Sequence, residues 1–210
     1  MTNITSLIAR NDPLFLRNAF KGCGRFGIPL VKKQKLSLEK IDLISYSDTR
    51  PNDNEGNKCK GVHFFIDDYR FNGVYINPLR SFKKLSQYKF LLTPDYSMYA
   101  EMQPWRQIES LAHSRWCGAY WQSQGRIVIP TVSWSTSSSF EYFCDGIEYN
   151  SVVAIGMIGC KSNRLGFMRG YNTMLEKLNP SAIICFGKPF EEMQGNLFVV
   201  DYQASRKVAR

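Results

Sequence analysis

Apolar residues along the chain fall into short unbroken runs separated by longer polar or amphipathic stretches. "KIDLISYS" (40–47), "VHFFIDD" (62–68), "FLLTPD" (90–95), "RIVIPTVSW" (126–134), "SVVAIGMIG" (151–159), "SAIICFG" (181–187) and "NLFVVDY" (196–202) each read as a strand. Runs without polar alternation are buried on both faces, as in parallel sheets covered by helices. Helical spacing fills the gaps. Trp105, Ile108, Ala112, Trp116 and Ala119 share one stripe ended by Gly125, and Leu165, Met168, Asn172, Leu175 and Leu178 share another. "GVYINPLRSFKKLSQY" predicts a helical crossover in spite of Pro78, "STSSSFEYFCDG" a short helix with Ser138 and Glu141 at capping-box spacing, and "DTRPNDNEGNKCKG" a long loop.

Seven strands with four or five helices predict an α/β fold with a predominantly parallel sheet, either a partial (β/α) barrel or an open doubly wound sheet. With 210 residues, one domain over 41–202 is expected, preceded by a basic segment 1–40 and followed by a basic tail 203–210. Aromatics make up 14% of the chain, and the stripe Trp105, Trp116, Tyr120, Trp121 reads mostly as core.

Both alternatives place function at the C-terminal ends of the strands, so the residues there are the candidate site. The second strand delivers Asp67, Asp68 and Arg70; the third Asp95, Tyr96 and Ser97; the fourth Ser133 and Trp134; the fifth Lys161, with Arg164 in the next helical turn; the sixth Lys188. Strand alternation lets only one of Asp67 and Asp68 face a given side, the other capping a helix or pairing with Arg70. Asp67, Asp68, Asp95 and Ser133 are the candidate catalytic groups, with a carboxylate acting as general base or as a nucleophile toward a sugar carbon. Arg70, Tyr96, Ser97, Trp134, Lys161, Arg164 and Lys188 are the candidate anion- or nucleotide-binding groups. Asp67 with Asp95 would also suit Mg²⁺, a hard cation that takes oxygen ligands. Two histidines and six dispersed cysteines support no zinc site and point to reduced thiols. "GCGRFG" (22–27) lacks the preceding strand that a phosphate loop needs.

Charge adds a partner. The net +9 sits at the two ends: residues 1–35 hold seven bases against Asp12, and Arg206, Lys207 and Arg210 follow the last acid. Residues 36–202 carry 17 bases and 17 acids. Basic ends (1–35 and 206–210) on a neutral body suit nucleic acid or a nucleotide. No apolar run reaches the ~20 residues of a membrane span and no signal-peptide pattern opens the chain, so no membrane partner and a cytoplasmic location are expected.

"GVHFFIDDYRF", "LLTPDYSMY", "AYWQSQGRIVIPTVSW", "FCDGI" and the "FG" of "ICFG" together resemble, from about Gly61 to Tyr202, the proteins of phages, plasmids and other mobile elements grouped as domain of unknown function 4417. The resemblance implies a mobile-element protein acting inside the host cell, and carries over no catalytic residue. A fainter likeness links the aspartates after early strands to barrel proteins related to tRNA-guanine transglycosylases, without their zinc-binding set or Gly-rich strand ends. It would make Asp67 and Asp95 base and nucleophile. Two functions are therefore expected: action on, or binding of, nucleic acid or nucleotide at the strand-end rim, or a non-catalytic anti-defence role against a host protein or its nucleotide signal.

Overall fold

The structure is a computed structural model that describes residues 6–202. The chain begins with two short helices, α1 (Ser6–Asn11) and α2 (Pro13–Leu16), the second capped by the Asp12 carboxylate on the Leu14 amide. A hairpin of β1 (Gly22–Cys23) and β2 (Ile28–Pro29) follows. Its turn is the "GCGRFG" stretch, where Gly24 and Gly27 adopt φ of 68° and 64°.

The main architecture then builds in chain order: β3 (Leu43–Ser45), α3 (Glu55–Lys58), β4 (Gly61–His63), α4 (Gly73–Ile76), α5 (Pro78–Leu85), β5 (Phe90–Leu92), α6 (Pro104–Ser123), β6 (Val128–Ile129), β7 (Val152–Gly156), α7 (Arg164–Leu178), β8 (Ala182–Phe186) and β9 (Leu197–Val200). Strands β3-β4-β5-β6 form one parallel sheet and β7-β8-β9 another. A parallel bridge between Thr131 and Ala154, with the Val132 amide donating to the Ala154 carbonyl at 2.8 Å, joins them. The seven predicted strands are therefore present and parallel, in an α/β fold. Their order follows the chain with no switch point, and among the described residues β3 and β9 do not pair, so no barrel closes.

Alternation explains why the strands carry no polar interruptions. Ile44, Val62, Phe64, Leu91 and Val128 face outward onto Val74, Leu85, Trp116, Tyr120 and Trp121 of the first helical layer. Val153, Ile155, Ile183 and Cys185 do the same against Phe167, Tyr171, Met174 and Leu178 of α7. The residues between them (Leu43, Phe65, Phe90, Leu92, Ile129, Ala154, Ile184, Phe186, Val200) form a single inner cluster drawn from these strands and, for β4, from Phe65 just beyond its end. The sheet curls around that cluster. In a flat sheet β4 and β8 would lie roughly 19 Å apart, four strand spacings. Here the His63 ring centroid is 4.3 Å from that of Phe186, and Phe65 stacks on Phe186 at 5.1 Å.

Three expectations are corrected. The buried face of α7 is Phe167, Gly170, Tyr171, Met174 and Leu178, and Leu165 is 79% exposed. Both stripes are apolar enough to fit the helical period, and the aromatic one wins because Gly170 leaves a notch for Trp134: a Cβ there would lie 2.2 Å from the indole. In α6, Trp105 is exposed while residues 114–121 are all buried. The reason is tertiary. Residues 17–34 run across the outer side of α6, with Arg17 over the Trp116 and Tyr75 rings (3.9 and 4.5 Å), Phe20 against Trp116, and Gln122 bonded to both the amide and carbonyl of Lys32. Finally, the short helix at 137–141 is 3₁₀, starts after Thr136, and makes no Ser138–Glu141 capping box; Ser139 instead bonds back to the Thr136 carbonyl.

Candidate functional site

The C-terminal ends of β3 through β8 open onto one cleft of ≈ 610 Å³. Ser45, Ser47 and Asp48 come from β3 and the turn after it. His63, Phe65, Ile66, Asp67 and Arg70 come from β4 and its extension. Asp95, Tyr96, Ser97, Met98 and Tyr99 follow β5; Ser133 and Trp134 follow β6; Gly156 and Ile158 end β7; Phe186 ends β8 and Tyr202 follows β9. Parallel strands in chain order deliver all of these to one pole, which is why residues up to 157 positions apart share a wall.

Asp95 is the most perturbed carboxyl in the cleft. Burial pushes it up from its ordinary 3.8 to about 6, the Asp68 charge adds to the rise, and the Ser133 hydroxyl and the Arg115 guanidinium oppose it. The Ser133 hydroxyl donates a hydrogen bond to Asp95 Oδ1. Oδ2 has no protein donor among the described residues.

The two adjacent acids divide their roles. Asp68 turns away from the cleft lining and accepts from the Ser97 amide (3.1 and 3.3 Å) and hydroxyl (2.9 Å), tying the turn after β4 to the loop after β5. Asp67 lines the cleft and pairs with Arg70 at 3.4 Å, an exposed i,i+3 contact worth little in energy. Tyr96 lines the cleft but is 8% exposed, its ring edge-on to Phe71 at 5.0 Å and His113 at 5.6 Å, which makes it part of the core. Trp134 lines the cleft with its ring tilted on Phe167 at 4.9 Å.

Asp67, Arg70, Asp95, Tyr96, Ser97, Ser133 and Trp134 are therefore together, with Asp68 behind them. Lys161, Arg164 and Lys188 do not line this cleft. Lys161 and Lys188 are exposed beyond its β7–β8 side, and Arg164 is paired with Glu192 and lies over Phe190. Three lysines of the basic N-terminal stretch go to the other pole, while Arg17 lies over Trp116 in mid-α6 and Arg25 pairs with Glu141. Lys21, Lys32 and Lys33 line a groove with Gln122 and Ser123 at the end of α6, while Gln34 bonds the Val128 amide at the start of β6. The 20-residue α6 separates that groove from the cleft by about 30 Å. Arg206, Lys207 and Arg210 lie outside the described residues.

Two contributors escape a reading of strand ends alone. His63 is buried, stacked against Phe186 and Phe65, and accepts from the Phe65 amide through Nδ1 at 3.3 Å, so its proton sits on Nε2; burial holds the ring neutral by depressing its pKa to about 3. It stands inside the apolar run, and inward alternation from Phe65 would have found it. Arg115, 1% exposed on α6, donates to the carbonyls of Thr131 (2.8 Å), Asp145 (3.2 Å) and Phe143 (3.4 Å) and stands behind Asp95. Nothing in its helical position marks it, since it was folded into a core face by contacts distant in sequence.

No group of three or more His, Cys, Asp or Glu side chains gathers in a metal-holding arrangement among the described residues. No helix among them is long and apolar enough to cross a membrane.

The family model described as Domain of unknown function (DUF4417) matches residues 20–203. The Gene 1 protein of Mycobacterium phage L5 is 33% identical over 180 residues, covering 84% of this chain and 78% of that protein. The Gene 1 protein of Mycobacterium phage D29 is 32% identical over 180 residues, covering 84% of this chain and 66% of that protein. No solved structure matches this chain. With its family model spanning nearly all of the curled sheet and the cleft, and with phage proteins as relatives, this chain belongs to the DUF4417 family.

Proposed function

We propose that this phage-type protein acts on nucleic acid or a nucleotide in the strand-end cleft, with Asp95 as the working carboxylate. The observation that carries the reading is the state of Asp95. A carboxyl raised to about 6 by burial, oriented by Ser133 and with no donor to its second oxygen among the described residues, exchanges a proton readily near neutral pH and, once ionised, is a poorly solvated base or nucleophile. Ser133 fixes its direction. Asp67 and Arg70 line the same cleft as an ion pair, and Trp134 supplies an aromatic wall.

An anion-sequestering, non-catalytic role would call for bases in the cleft. Among the described residues the lining instead holds Asp48, Asp67 and Asp95 against Arg70, which favours the first reading. The test is fluorescence-polarisation binding of short single- and double-stranded DNA and RNA at two salt concentrations. Binding that weakens as salt rises supports the reading; absence of binding to all four probes and to free nucleotides refutes it.

A further inference from the structure

We infer that the cleft takes a nucleobase, drawn out of its stack, and leaves the phosphate outside. The inference rests on the reading above and specifies which part of the substrate enters.

Charge decides the first half. Among the described lining residues three carboxylates face one guanidinium, which Asp67 already engages, and His63 is neutral. A phosphate seated there would be repelled by these carboxylates, whereas a base edge carrying N–H donors finds acceptors in Asp67 and in Asp95 Oδ2, to which no described residue donates. Shape decides the second. The inner wall is built from flat rings: Phe65 stacks on Phe186, His63 packs on Phe186, Tyr202 meets Phe186 edge-on at 5.7 Å, and Trp134 closes another side. At the mouth Tyr99 is 61% exposed, a large apolar ring left in solvent beside the opening. A volume of ≈ 610 Å³ lies in the roughly 300–1,000 Å³ range of small-molecule pockets. Such a site is ill-suited to a stacked, paired base, whose donor edge is occupied and whose faces are covered.

The phosphates then follow the positive side of the same pole. Lys161 and Lys188 follow β7 and β8 and are exposed, while the N-terminal lysines are at the far end of α6. The backbone therefore runs past the β7–β8 edge as the base points toward Asp67 and Asp95.

The test is direct binding by isothermal titration and ligand-detected NMR, with guanosine, adenosine, cytidine, uridine, inorganic phosphate and pyrophosphate as probes. A labelled single-stranded oligonucleotide serves for competition. Guanosine, which presents adjacent imino and amino donors, is expected to bind tightest and uridine weakest, with phosphate and pyrophosphate silent. Asp67→Asn with Asp95→Asn should weaken guanosine at least tenfold. Lys161→Glu with Lys188→Glu should lower oligonucleotide affinity and flatten its salt dependence. Competition by phosphate or pyrophosphate without competition by nucleosides overturns the inference and leaves the nucleic-acid reading standing. Oligonucleotide binding that no nucleoside displaces overturns it as well, and failure of every probe refutes both.

Discussion

Replacing Asp95 by Asn should make the protein more stable and less active, and the size of the stabilisation follows from the carboxyl's environment. A carboxyl raised from 3.8 to about 6 destabilises the fold whenever it is ionised, by about 3 kcal/mol at most. The sign is fixed by linkage. The unfolded chain loses this proton at the lower pH, so the penalty is absent below about 3.8, grows as pH rises toward 6, and is complete above it. Asn is isosteric and neutral, and its amide oxygen still accepts the Ser133 hydroxyl. At pH 8 the variant should melt roughly 6–12 °C above the parent, given about 2–4 °C per kcal/mol for a chain of this size; at pH 4 the two should nearly coincide. Differential scanning calorimetry across pH 4–8 reads this directly. A variant that melts lower at pH 8, or that differs equally at all pH values, would refute the assignment of Asp95 as a half-buried carboxylate that costs stability when ionised.

Three further outcomes follow. His63→Phe keeps the stack on Phe186 but removes a ring that stays neutral down to about pH 3; the parent's loss of stability as pH falls from 6.5 toward 3, where only the unfolded chain takes up this proton, should flatten in pH-dependent urea unfolding. Gly170→Ala drives a methyl into the Trp134 indole and should cost about 1–3 kcal/mol with an altered tryptophan emission spectrum, since the notch cannot yield without moving the cleft wall. Arg17→Ala removes the guanidinium from between Tyr75 and Trp116, together with its 2.8 Å bond to the Tyr75 carbonyl, and should cost about 2 kcal/mol by chemical denaturation.

How far these features were legible in the sequence depended on how local their causes are. Apolar runs such as "SAIICFG" and "SVVAIG" register their burial on both faces residue by residue, and those strands stand where the pattern put them. The curl that brings His63 onto Phe186 arises from ring packing between segments more than a hundred residues apart and leaves no periodic trace. The same holds at the site. Asp67, Asp95 and Ser133 were visible because parallel strands end at one pole, whereas Lys161 and Lys188 share that pole without lining the cleft, a matter of which way each loop turns after its strand. Charge counting found the basic segment 1–35 but not its location, because Trp116 and Gln122 hold residues 17–34 along the outer side of α6 and bring Lys32 and Lys33 to its far end. The wrong stripe on α7 has a similar cause: Leu165 and Phe167 are equally apolar, and only the Trp134 notch at Gly170 chooses between them.

Whether the Asp95 cleft does chemistry on nucleic acid or nucleotide is read by mass spectrometry of single-stranded DNA, RNA and mixed nucleotides after incubation with the intact protein and with Asp95→Asn. A mass change or released fragment is expected with the parent chain and should be lost in the more stable Asp95→Asn protein. A product formed equally by both would remove Asp95 from the reaction, and unaltered substrates that nonetheless bind in the cleft would make it a recognition site without turnover, contradicting the proposed chemistry.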